Sequence, residues 1–307
     1  MHLRYSLHGL PIVLSSQDQR FIKFFEGFRK GWAVEPFKGM VRKGDKSLFL
    51  SLNNGGGGKR ERTPEDSRLL YRYFHIRAYT AQDGLHLLDG GSSHIRVKPE
   101  QGWAQGRIAR SAMSYEGFTT LFVLTLAELL RPKGLFYLHS ACLRDRLGRG
   151  WLIYGWPGSG KTTLSLGFVR AGFSYLSDDA VLLRKISQGS RGFSEDGPRV
   201  EALSLRRAFR IKTEKMGKRS FRPESKFHVR YSERCVPGVL IHAAVSRRAG
   251  SKLLPLSPLQ SFLRLIPQSF QILGGGPSQT EGHADVLKGL AHQCLSFDLR
   301  AGIDLLR

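Results

Sequence analysis

Residues 155–163, GWPGSGKTT, carry the chain's clearest chemistry. Gly155, Trp156, Pro157, Gly158, Ser159, Gly160, Lys161 and Thr162 fit the phosphate-loop (Walker A) pattern GxxxxGK[ST], and Thr163 follows. The context fits as well: the apolar run RGWLIYG at 149–155 reads as a strand, and Lys161 to about Ala171 reads as a helix closed by Gly172. Glycines let such a backbone wrap until successive N–H groups point at phosphate oxygens. The positive end of the helix adds to the attraction. Lys161 then reaches the β- and γ-phosphates as a point charge, and Thr162 offers its hydroxyl to Mg²⁺. ATP and Mg²⁺ are the expected cofactors.

Sixteen residues separate Lys161 from the pair Asp178-Asp179. That length allows one helix, one turn and a return strand, so both carboxylates can stand beside the loop. Adjacent acids repel unless a cation lies between them, and a metal–nucleotide supplies one. One carboxylate can bind the metal while the other takes the proton of an attacking hydroxyl. Away from such a loop, the same pair would read as an exposed acidic turn. His139, in the run LFYLHSACL, is expected on a strand next to the one that feeds the loop. It can face the γ-phosphate or the metal's water, or sit as a hydrogen-bonded core histidine.

The stretch 138–184 resembles the catalytic core of the HPr serine kinase/phosphorylase family, itself similar to ATP-dependent phosphoenolpyruvate carboxykinases. The shared features are an upstream His followed by small residues, the phosphate loop, one helix ending in glycine, and the Asp pair. The resemblance implies an ATP- and Mg²⁺-dependent kinase in which Asp178 is the general base. It makes Asp179 a metal ligand alongside Thr162, and gives His139 and Lys161 site roles. It also implies an assembly of several copies, without fixing the number. The chain departs from the family after the core: where a glycine-containing LEIRGLG signature is expected, RVEALSLRRAFR (199–210) stands, and only Glu201 matches. The N-terminal half does not look like the family's regulatory domain. The expected acceptor is therefore a serine of another protein or peptide, or free serine, rather than HPr.

Around these residues the pattern predicts a mixed α+β (α/β) protein. A small α+β domain over 1–113 precedes a P-loop catalytic domain of the HPr kinase/carboxykinase type over 114–307. In the first, a helix capped by Ser15 or Ser16 carries Phe21, Ile22, Phe24, Phe25 and Phe28. Runs at 47–52, 71–79, 85–90 and 94–99 read as strands of a small antiparallel sheet. The glycine-rich stretch 53–66 reads as a mobile loop. In the second, 116–130 is a helix, 135–143 and 149–155 are paired strands joined by the turn DRLGR, and a further strand follows at 180–185. Later, 236–248 is a buried strand, 255–266 and 280–294 are helices, and 294–302 is a last strand.

With 41% hydrophobic and 24% charged residues, the composition is that of a globular protein. Cys142, Cys235 and Cys294 are odd in number, far apart and without a CxxC, which predicts reduced thiols and a cytoplasmic protein. The ten histidines show no HxxxH spacing, which argues against a zinc site. The longest apolar run, Phe118 to Leu130, is shorter than the roughly 20 residues of a membrane span. The first residues make a poor signal peptide. The formal charge of +23 raises a second reading, a nucleic-acid-associated P-loop ATPase. Basic and aromatic residues interleave over 204–235, as in single-strand binders. A solvated basic loop or an acceptor-binding flap gives the same pattern.

Overall fold

The computed structural model describes residues 1–39, 47–55, 63–90, 93–186, 199–213, 217–221, 230–246, 248–273, 277–302 and 304. The chain forms two compact units. The first comprises Met1–Lys30, Val34–Leu135 and Leu273–Gln279; the second comprises Gly31–Ala33, Phe136–Ile272 and Thr280–Arg307.

The first unit is built on a nine-stranded sheet. Its strands are β1 (His2–Leu7), β2 (Leu10–Ser15), β3 (Val34–Pro36), β4 (Leu48–Gly55), β5 (Arg68–Tyr73), β6 (Ile76–Ala81), β7 (Gly84–Leu88), β8 (His94–Lys98) and β9 (Trp103–Ala109). They lie in the order β3-β1-β2-β4-β9-β8-β7-β6-β5. The small antiparallel sheet expected here is thus larger, and mixed: β4 runs parallel to both β2 and β9. Helix α1 (Gln19–Phe28) connects β2 to the β3–β4 segment, and a parallel neighbour requires a crossover of this kind. Its cap is Asp18, which accepts from the Arg20 N–H at 2.7 Å, rather than Ser15 or Ser16. Helix α2 (Tyr115–Leu130), capped by Ser114, packs in this unit. The boundary therefore falls after Leu135, where the sequence had suggested 113. The physical reason is an aromatic cluster: Phe118 and Phe122 of α2 meet Phe25 and Phe28 of α1 edge to face, at centroid distances of 4.9–6.4 Å.

Residues 71–79, expected as one strand, fold back at Phe74-His75 as the β5–β6 hairpin, with Phe74 at φ 51°. Of the expected loop at 53–66, residues 56–62 lie outside the described residues.

The second unit holds β10 (Phe136–Leu138), β11 (Ser140–Arg144), β12 (Gly150–Tyr154), helix α3 (Lys161–Arg170), β13 (Ser174–Ser177), β14 (Val181–Ile186) and β15 (Arg199–Ser204). The hairpin β16 (Phe209–Thr213)–β17 (Gly217–Phe221), β18 (Arg234–Cys235), β19 (Pro237–Val245) and β20 (Lys252–Leu256) follow. Helices α4 (Pro258–Leu265) and α5 (Pro277–Gln293, mostly in this unit) precede the last strand, β21 (Leu295–Ala301). A six-stranded sheet runs β13-β11-β12-β19-β21-β20, with β12, β19 and β21 parallel. A four-stranded antiparallel sheet runs β10-β14-β15-β18. Successive residues of β12 serve opposite faces. Ile153 joins a core with Val169 of α3. Leu152 and Tyr154 join another with Leu265 of α4 and Leu287 of α5.

The expected single strand over 135–143 is broken at His139. Its first half, β10, pairs with β14; only its second half, β11, pairs with β12. At the break the His139 N–H donates to the Gln268 carbonyl at 2.9 Å, an unpredicted partner more than a hundred residues away.

Candidate active site

Strand β12 delivers the chain to Gly155, and α3 begins at Lys161. Gly155, Gly158 and Gly160 have φ of 148°, 85° and 86°, conformations that side chains oppose. At Gly155 space is also closed: a Cβ there would lie 2.4 Å from the Ala243 carbonyl oxygen. The Ser159 N–H donates to the Trp156 carbonyl at 3.0 Å and closes the turn. Gly160 caps α3 with no side chain to take up the first-turn N–H groups. A helix start left in this state is suited to an anion. Trp156, Pro157 and Gly158 are exposed at the tip; Ser159 is buried, Thr162 half-buried and Thr163 exposed.

Lys161 is buried, and its Nζ donates to the carbonyls of Gly155 (2.8 Å) and Trp156 (3.3 Å). Burial pushes its pKa below the ordinary value; the charges of Asp179 and Asp178 act in the opposite direction. Both carboxylates are therefore within electrostatic reach of the lysine.

The return strand β13 ends at Ser177, whose hydroxyl donates to the Arg206 carbonyl (2.6 Å) and accepts from the Arg206 N–H (3.2 Å). That anchor fixes the turn bearing the acidic pair. Asp178 is only 2% exposed, whereas the Asp179 side chain is 35% exposed. Asp179 stands between a guanidinium and an imidazole: Arg206 Nη1 lies 3.0 Å from its Oδ2, and His139 Nδ1 lies 3.4 Å from its Oδ1. Burial holds the His139 pKa below its ordinary value of 6.5. Asp179 opposes this, while Lys161 and Arg206 add to it.

The structure thus brings Lys161, Asp178, Asp179 and His139 together with Arg206. This arginine is 2% exposed, with its guanidinium over the Trp32 ring at 5.9 Å. It lies in the stretch that departs from the family signature, and its only sequence signal was an Arg-Arg pair after a strand. Glu201, the one residue there that had matched, is ion-paired with Arg184 at 2.7 Å.

Thr162 and Asp179 are hard oxygen donors of the kind Mg²⁺ accepts. That ion keeps several waters and takes few protein ligands when phosphates complete its shell. The donor chemistry therefore fits. Among the described residues, no group of three or more His, Cys, Asp or Glu could hold a metal by itself. The three cysteines are free and buried, with Cys142 and Cys235 sulfurs 3.5 Å apart. Among the described residues, no helix is long and apolar enough to cross a membrane. Of the basic run 204–235, residues 214–216 and 222–229 lie outside the described residues.

Beside the loop, a cavity of about 320 Å³ runs along α3. It is bounded by Ser159, Gly160, Thr163 and Gly167 on one side and by Val245 and Leu299 on the other.

No known protein family matches the sequence, and no curated protein matches it. Among solved structures, the chain is similar to the Hpr(Ser) kinase/phosphatase from Coxiella burnetii, with a TM-score of 0.25 and 18% identity. The match covers 36% of this chain and 59% of that one. This chain is a mixed α+β protein with several sheets.

Proposed function

We propose that the chain is an ATP-dependent kinase. It transfers the γ-phosphoryl group to a hydroxyl acceptor, a serine of a protein or peptide, or free serine. One observation carries the reading: a buried lysine at the uncapped start of α3, with two aspartates in electrostatic reach and one of them held between His139 and Arg206.

Each residue then has a task. The loop N–H groups and Lys161 hold the β- and γ-phosphates and stabilise the charge that gathers on them during transfer. Thr162 and Asp179 would hold Mg²⁺, which when bound neutralises phosphate charge. Arg206 and His139 fix the orientation of Asp179. Asp178 takes the acceptor's proton as the acceptor oxygen bonds to the γ-phosphorus and the bond to the β-phosphate oxygen breaks, releasing ADP. Phosphoryl transfer needs positioning and charge neutralisation more than covalent work from the protein. These residue types supply both.

The test uses γ-labelled ATP with Mg²⁺ and a fractionated cell extract, comparing the natural chain with Asp178→Asn. Label in a protein, peptide or small hydroxyl compound that is lost in the variant supports the kinase. Label only in free phosphate, rising when nucleic acid is added, removes the kinase reading. It would favour the ATPase reading that the charge of +23 motivates.

A further inference from the structure

The cavity along α3 is contiguous with the loop, because Ser159, Gly160 and Thr163 belong to both. At about 320 Å³ it sits at the low end of the roughly 300–1,000 Å³ typical of small-molecule sites. Its remaining walls are glycine, alanine, valine, leucine and phenylalanine, with Phe168 from α3 and Leu299 from β21 facing the space. Among the described residues, no charged side chain and no side-chain amide lines it. The hydroxyls of Ser159 and Thr163 stand at the loop end. The Ser159 Oγ is buried with no hydrogen-bond partner among the described residues.

Gly167 is the informative residue. It sits in the interior of α3, where glycine costs roughly 1 kcal/mol relative to alanine. A Cβ there would meet nothing within 4 Å, so close packing does not require the glycine. Its effect is to keep the cavity open beside the second turn of the helix.

We infer that this cavity seats the base of the bound nucleotide, and that it accepts adenine and guanine alike. The inference rests on the reading of the loop as a nucleoside-triphosphate site. A triphosphate held at the start of α3 has its nucleoside beyond the α-phosphate, and Gly160 and Thr163 are where the apolar space begins. Strong discrimination between bases needs fixed hydrogen-bonding groups aimed at the ring edge. An apolar pocket rejects a ligand differing only in polar substituents by about 10²-fold at most. With glycine, aliphatic and aromatic walls, the preference between ATP and GTP stays within about tenfold.

The experiment is calorimetric binding of ATP, GTP and inorganic tripolyphosphate, each with Mg²⁺, to the natural chain and to Gly167→Leu. Leucine improves helix propensity at this site and adds bulk at a residue that lines the cavity. The expected result is ATP and GTP within tenfold of each other on the natural chain. Both should weaken at least tenfold in Gly167→Leu, while tripolyphosphate changes less than twofold. Should Gly167→Leu fail to melt cooperatively, Ala301→Phe fills the same space from the opposite wall. Unchanged ATP affinity in the folded variant overturns the assignment of the cavity. A preference above tenfold for one nucleotide overturns base tolerance. A natural chain that binds neither nucleotide nor tripolyphosphate overturns the underlying reading of the loop.

Discussion

Arg206→Met tests whether the arginine is what holds Asp179 in place. The Arg206 side chain is 3% exposed, and its Nη1 lies 3.0 Å from Asp179 Oδ2. Removing one partner of a fully buried pair costs about 3–5 kcal/mol, whereas an exposed pair contributes roughly 0–1 kcal/mol. Asp179 is about one-third exposed, so its carboxylate regains water when the guanidinium is gone. The cost then falls between these limits, at about 2 kcal/mol. Loss of the cation over Trp32 adds roughly 0.5–1 kcal/mol. Methionine keeps most of the unbranched stem and its packing. The sum, about 2–3 kcal/mol, corresponds to a fall of roughly 5–10 °C in the melting temperature of a unit of about 150–250 residues. The assay is urea denaturation of Arg206→Met, Asp179→Asn and the double variant. The coupling energy is expected at about 1–2 kcal/mol, since residues in direct contact are not additive. Arg206 also lowers the His139 pKa by repulsion, so its removal should raise that pKa in an NMR titration. A coupling below about 0.3 kcal/mol together with an unmoved His139 would refute the argument that these three side chains act as one unit.

Three further outcomes are expected. Lys161→Ala should lose nucleotide binding in a calorimetric titration, while Asp178→Asn keeps binding and loses transfer; normal transfer by Asp178→Asn would remove it as the base. His139 has a folded pKa below its unfolded value of 6.5, so the unfolded chain takes up the proton first as pH falls. Stability should therefore be fully present above pH 6.5 and decline from there down to the folded pKa, and His139→Asn should flatten this part of the melting curve against pH. Gly155→Ala places a Cβ against the rigid Ala243 carbonyl at a φ of 148°, which should cost about 3 kcal/mol and be seen as a lower urea midpoint. A midpoint equal to that of the natural chain would show that the loop adapts.

What was legible in the sequence was mainly local. The pattern over 255–266 gives a helix, of which α4 takes Pro258–Leu265. The apolar run at 116–130 gives α2, and the stripe of Phe21, Ile22, Phe24, Phe25 and Phe28 gives α1, where all but Phe24 are buried. Where local signals are weak, the elements are hidden. The turn at Phe74-His75 carries neither glycine, asparagine nor proline, so two strands looked like one. Strand β9 begins with Trp103 and includes Gly106, whose bare Cα is needed because a Cβ would lie 2.3 Å from the His94 carbonyl oxygen. That glycine weakens the strand pattern that would have revealed it.

The sequence by itself determined that a strand, a glycine-rich turn and a helix would follow one another at 149–171. Those conformations depend on residues within a few positions of each other. It also set an acidic pair one helix and one strand later. The tertiary structure alone decided that Asp178 would be buried and Asp179 partly open. It broke the chain at His139 and brought Arg206 to Asp179 across 27 positions. The reason is physical: an ion pair between distant residues leaves no period or cap in the sequence, and exists only once the sheets have packed and water has been removed around it.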